Sequence, residues 1–184
     1  ECGRPHALIG AIDHTLPRLQ LSADLDALQR CDTLRGVRVV FGLDPAAPAT
    51  RELLSMLSER GLIFELVAHP HNALDFTRLL EKFPKLDVVL EHMGWPTAPD
   101  DPGHFGEWRT GMRALAGLGN VQCKLSGLAM SLHEISESRM RPWLEAAIEE
   151  VPGVRRFRVV QTDTAAVTVQ VVLANIEARR SRTT

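Results

Sequence analysis

The sequence predicts an α/β protein with parallel strands and flanking helices. Short apolar runs of strand length alternate with longer segments whose apolar residues recur at helical spacing. Each run is closed by Gly, Pro or polar residues, and no repeat or linker interrupts the series. Alternation of this kind implies a parallel sheet whose crossovers carry helices.

The elements follow in order. Ala7–Ile12 is the first strand, closed by Asp13, His14 and Pro17. Ser22 opens a short helix in which Leu25 and Leu28 share a face, with Asp24 and Asp26 in its first turn, where carboxylates suit the dipole. Gly36–Phe41 is the second strand. The helix after it carries Leu53, Leu54 and Leu57 and stops at Gly61. Leu62–Ala68 is the third strand, followed by His69-Pro-His71 and a helix striped by Phe76, Leu79, Leu80 and Phe83. The fourth strand is the run from Leu86 that ends in Glu-His92-Met-Gly-Trp-Pro96. A helix with Phe105, Trp108, Met112 and Leu115 on one face leads to the fifth strand, Asn120–Gly127. Trp143, Leu144, Ala147 and Ile148 stripe the next helix, with Pro142 read into its first turn, where a missing N–H costs little. Five units are firm. Arg155–Val160 is a candidate sixth strand ending at Asp163, and Val167–Ile176 is rich in β-branched residues without a clean period. The expected division is 1–152 for the (β/α) portion and 153–184 for an atypical C-terminal segment.

With 184 residues, 45% of them hydrophobic, the chain can bury a core as one domain. A net charge of −2 gives no footprint for nucleic acid, and no apolar run approaches the roughly 20 residues that span a bilayer. Cys2, Cys31 and Cys123 lie far apart, without the spacing of a disulfide framework or a zinc knuckle. A cytoplasmic address is the expectation. The start, Glu1-Cys-Gly-Arg-Pro, has no initiator Met, so the reading includes a processed start or a piece of a longer chain.

Parallel sheets collect functional groups at the C-terminal ends of their strands. Those ends offer Arg38, then His69 and His71, then His92, then Lys124 and Ser126, while Glu65 interrupts an apolar strand. No glycine loop of phosphate-binding type and no Gly-x-Ser-x-Gly elbow is present. Histidines, a carboxylate and two cations suit holding a metal or polarising a carbonyl. Each also has a plainer role: a loop histidine for His92 and His71, ion pairs for Arg38, Glu65 and Lys124. Cys123 reads as packing.

The pieces Leu34-Arg-Gly-Val-Arg38, Gly61-Leu-Ile-Phe-Glu-Leu66, Pro70-His71, Val89-Leu-Glu-His92-Met-Gly-Trp-Pro96 and Asn120-Val-Gln-Cys-Lys124-Leu-Ser-Gly-Leu128 appear in one order. Together they resemble the amidohydrolase-related (amidohydrolase 2) family of TIM-barrel hydrolases, in its lactonase-like branch, over roughly residues 7 to 150. The resemblance implies a (β/α) barrel that hydrolyses a lactone or related bond at its mouth. It implies that His92 is the strand-end histidine that contacts metal or substrate and acts in catalysis, and that Arg38 holds an anionic substrate or polarises its carbonyl; His71, Lys124 and Glu65 are the further candidates for lining the substrate. The substrate would be a lactone or a carboxylated cyclic compound. A divalent metal such as zinc and a metal-free mechanism both remain open.

The chain departs from the family pattern at both ends. The family's opening His-x-His strand would precede the start of this sequence, and its closing Ser-Asp-Trp-Pro motif is absent; Asp163, in Gln161-Thr-Asp163, is the expected stand-in for that motif's catalytic carboxylate. The expected fold is therefore an incomplete TIM-type barrel, lacking the first strand and a regular last one and left open with two sheet edges. The competing expectation is an inactive remnant that serves at most as a small-molecule-binding or interaction module.

Overall fold

The computed structural model describes residues 7–150 and the backbone of 154–161 and 167–173. Its strands are β1 (Leu8–Ala11), β2 (Leu34–Arg38), β3 (Ile63–Leu66), β4 (Val88–Leu90) and β5 (Val121–Cys123). Between and after them come α1 (Arg18–Leu28), α2 (Pro48–Arg60), α3 (Ala73–Leu80), α4 (Pro102–Ala116), α5 (Leu128–Leu132) and α6 (Glu137–Glu150). The strands form one parallel sheet in sequence order, β1-β2-β3-β4-β5. Sequential order without reversal is the arrangement of a (β/α) barrel wall. Within this sheet β1 and β5 are edges, as an open barrel requires.

Side-chain alternation assigns the two faces. Val37, Phe64, Leu66, Val88 and Leu90 point to one side and are buried under the helices, against Leu53, Leu54, Leu57, Phe76, Leu80 and Trp108. The opposite side carries the row Arg38–Glu65–Val89–Gln122, in register across four strands. Two residues further along β4 and β5, Glu91 and Lys124 fall on the same side. The five-stranded wall thus has an apolar, helix-covered face and a polar face. Gly36 allows close approach on the polar side: a Cβ there would meet the Ile63 carbonyl oxygen at 2.2 Å.

Several local expectations change. Helix α1 starts at Arg18 behind Pro17 (φ −55°), four residues before Ser22, so Asp24 and Asp26 lie beyond the first turn. Proline's fixed φ begins the helix without a side-chain cap. Helix α6 starts at Glu137, which places Pro142 in its interior and leaves the Ser138 carbonyl without a helical N–H donor. The candidate sixth strand forms as β6 (Val154–Gln161), but it pairs antiparallel with β7 (Val167–Leu173) in a separate two-stranded sheet. No helix among the described residues is long and apolar enough to cross a membrane.

Helices α4 and α6 are joined twice. Phe105, Trp108 and Trp143 form an aromatic cluster with centroids 4.8–5.5 Å apart. On the outer side, Arg109 and Arg113 both hold Glu150, each through a 2.8 Å contact. The Arg113 guanidinium, helped by Arg109, lowers the Glu150 carboxyl from 4.5 to about 2. A folded-state value below the unfolded one stabilises above the unfolded value and is lost as pH falls through the folded value. Thermal melts between pH 6 and pH 2 therefore should show a steeper acid decline for the intact protein than for Glu150→Gln. Superimposable acid limbs would remove this clamp from the stability of the α4–α6 pair.

Candidate active site

The polar groups on the open side of the sheet form a connected set of charges. Arg38, at the end of β2, donates from Nε to Glu65 Oε2 at 2.8 Å, and its Nη2 lies 2.6 Å from the same oxygen. Lys124, just past β5, reaches both Glu65 Oε1 and Glu91 Oε1 with Nζ. Arg38 Nη2 also stands 3.5 Å from Glu91 Oε1. The two carboxylates are almost fully buried, with 4% and 2% of their side chains exposed, whereas Arg38 and Lys124 keep 34% and 38% open to solvent. Two negative groups lie at the bottom and two positive groups stand above them, at the accessible level.

Burial alone would raise the Glu65 carboxyl, but the hydrogen bonds from Lys124 and Arg38 outweigh it and hold the group below its ordinary value. For Lys124 burial pulls the ammonium down, and the two glutamates more than reverse that. Buried charges of this kind are tolerable only when paired.

His92 stands beside this set. Its Nδ1 shares a 2.9 Å hydrogen bond with Ser126 Oγ, and its Nε2 lies 3.4 Å from Glu91 Oε2. Burial is the main influence that lowers its pKa; Arg38 and Lys124 add to the shift and Glu91 opposes it. The imidazole is therefore neutral near pH 7.

The backbone that presents His92 is strained. His92 (φ 47°), Met93 (φ 56°), Gly94 (φ 69°) and Trp95 (φ 45°) are consecutive left-handed residues, three of them with a Cβ. Each such residue costs about 1–2 kcal/mol, so the surroundings must fix the turn. The Trp108 indole N–H donates to the Met93 carbonyl at 2.6 Å, and the Met93 N–H donates to the Lys124 carbonyl at 3.1 Å. The Trp95 N–H closes back onto the His92 carbonyl at 3.0 Å. Met93 itself is fully buried. Strain held by this many contacts is characteristic of functional sites.

Of the residues expected from sequence, Arg38, Glu65, Lys124 and His92 come together. His71 follows β3 in a short 3₁₀ turn (Pro70–Asn72), is exposed, and stacks on His69 with centroids 5.6 Å apart. It reaches the others only through rings: His69 packs edgewise on Trp95 at 6.3 Å, and Trp95 on His92 at 4.9 Å. Asp163 lies outside the described residues. Cys123 fits its packing role, since burial pushes its thiol up to about 12. Three participants were not selected from sequence: Glu91, Trp95 and Gly127. Glu91 had a signal, a second carboxylate two residues beyond Val89 on the face that carries Glu65. Gly127 had none, because its role is a contact. A Cβ at Gly127 would lie 2.6–2.7 Å from the His92 ring.

A metal expected at His92 finds few donors. The described residues hold no group of three or more His, Cys, Asp or Glu that could bind one. His92 Nε2 and Glu91 Oε2 are two donors, and the remaining carboxylate oxygens face Arg38 and Lys124. Catalytic zinc sites ordinarily use three protein ligands, so these residues do not assemble one. The comparison of two glycines tests how His92 is seated. Both Gly127 and Gly119 have φ near +70°, but a Cβ at Gly119 meets nothing within 4 Å. Gly127→Ala should cost at least about 1 kcal/mol by urea denaturation and shift the His92 ring resonances; Gly119→Ala should leave those resonances in place. Unchanged His92 resonances in Gly127→Ala would refute the packing role.

Comparison with known proteins gives the family and the fold. An uncharacterized protein of Sinorhizobium fredii is 31% identical, over 79% of this chain and 52% of its own. An L-fucono-1,5-lactonase of Burkholderia ambifaria is 28% identical, over 66% of this chain and 42% of its own. The fold matches a zinc-bound amidohydrolase of Burkholderia multivorans with a TM-score of 0.69 at 23% identity, covering 82% of this chain and 56% of that one. The chain thus spans about half the length of these relatives. The amidohydrolase family model matches residues 4–155, and the chain belongs to that family.

Proposed function

We propose that the chain carries part of a hydrolytic site that opens a lactone or a similar cyclic ester. The observation behind this reading is the pair of cations, Arg38 and Lys124, fixed from below by Glu65 and Glu91 beside a neutral histidine. The lactonase relative supports the same substrate class.

In this reading water adds to the ring carbonyl carbon, and His92 Nε2 takes the proton that the water loses. Negative charge grows on the carbonyl oxygen, where N–H groups of Arg38 and Lys124 face it. Donors already in place need no reorganisation as that charge develops. The intermediate then collapses, the ring C–O bond breaks, and His92 returns the proton to the departing oxygen. One water is consumed and one hydroxy acid is released. A carboxylate on the substrate would meet the same two cations, which suits a carboxylated cyclic compound. The Ser126 contact at Nδ1 leaves Nε2 as the nitrogen for this proton transfer.

One observation favours a second reading. The chain spans about half of its relatives, and the described sheet has five strands where a closed barrel has eight. An inactive remnant that binds a small molecule would look the same on this side of the sheet. Lactone opening by the purified chain separates the two. On the hydrolytic reading His92→Ala loses roughly 100-fold or more in kcat/KM. Equal rates in the two proteins would remove His92 from the mechanism, and no turnover by the intact chain would favour the remnant.

A further inference from the structure

We propose that the Lys124 ammonium is the resident cation of this site, seated between Glu65 and Glu91 where a carboxylate-bridged centre would hold a divalent metal. The placement rests on three observations. Nζ contacts one oxygen of each buried carboxylate, the Glu91 contact being 2.5 Å. The remaining Glu65 oxygen is taken by Arg38, and the remaining Glu91 oxygen faces His92 Nε2. The lysine stem enters from β5 while the carboxylates come from β3 and β4, so three adjacent strands converge on one positive charge.

The chemistry follows from what the ammonium has left. It has three N–H donors, and two are used on the glutamates. The third is free for a ligand oxygen at the level where the side chain is 38% exposed. A divalent ion would polarise a carbonyl there as a Lewis acid; the ammonium does so as a charged hydrogen-bond donor. A metal arriving at Glu65 and Glu91 would have to displace a cation already paired with both. This assignment rests on the hydrolytic reading only for the identity of the ligand oxygen; the occupancy of the cation position does not depend on it.

The experiment uses Mn²⁺ as the probe and requires no turnover. Mn²⁺ titrated into the wild-type protein should not selectively broaden the His92 ring signals. Lys124→Met leaves two buried carboxylates and an imidazole nitrogen without their cation, and should gain Mn²⁺ affinity by roughly 10-fold or more, with a rise in Tm on adding the ion. Lys124→Arg keeps the charge and should gain nothing. Selective broadening of His92 in the wild-type protein would overturn the proposal, and so would a folded Lys124→Met variant that takes up no more Mn²⁺ than wild type. If Lys124→Met fails to fold with or without the ion, the wild-type titration decides alone. Mn²⁺ capture by Lys124→Met together with no lactone opening by the intact chain would sink the hydrolytic reading and leave the resident cation standing.

Discussion

The constraint on which this site depends is the burial of two carboxylates in the wall of a sheet. Glu65 and Glu91 are 3% and 2% exposed, next in sequence to Phe64, Leu66 and Leu90, which fill the opposite face of the sheet. Isolated charges there would cost several kcal/mol each. They persist because alternation sends them to the side away from the helices, where register brings Arg38 and Lys124 onto the same side. The four charges cancel locally. What remains available is directional: the cations are held where solvent or a ligand can reach them. That explains why the sheet keeps an expensive feature that contributes little net stability.

The second dependence links this charge set to the helical layer. Trp108 belongs to the aromatic cluster between α4 and α6, yet its indole N–H holds the carbonyl of Met93 in the left-handed turn. The same turn accepts its other support from β5, since the Lys124 carbonyl receives the Met93 N–H. Lys124 therefore acts twice, through its side chain on the carboxylates and through its backbone on the turn that presents His92. Loosening the α4 packing would reach His92 through one hydrogen bond. Loosening β5 would reach it through another and would disturb the charges at the same moment.

Much of this was legible in the sequence, for reasons specific to each element. The five strands announce themselves as apolar runs between Gly and Pro signals; Arg38, His92 and Lys124 stand out as polar groups where parallel strands end, and Glu65 as a carboxylate inside an apolar run. Glu91 was readable in principle but hidden, since next to His92 it looks like the first residue of a loop. Helix starts were less legible. Pro17 begins α1 without any capping side chain, and nothing local marks Glu137 as the start of α6 ahead of Pro142. The left-handed turn was not legible at all. His92, Met93 and Trp95 have no preference for positive φ, and the contacts of the turn with Trp108 and Lys124, both distant in sequence, make that conformation hold. His104 accepts a 3.0 Å hydrogen bond from the Thr97 N–H and so pins the loop before α4, a role its spacing does not show. Long-range contacts of this kind leave no periodic trace.

An incomplete barrel wall can nevertheless carry a complete charge set, and the reason is topological. In a parallel sheet of sequential order, each strand end lies beside the ends of its sequence neighbours. Arg38, Glu65, Glu91 and Lys124 come from β2, β3, β4 and β5, four neighbours in a row, so every pairing among them is internal to the described sheet. None of these pairings needs a strand from across a barrel. On the proposed hydrolytic reading a substrate would need that far side, because a carbonyl held only from one face is not oriented for attack on the other. On that reading, the described wall supplies the polarising cations and the histidine base, while the opposite side of the substrate would be held by groups beyond the edges β1 and β5.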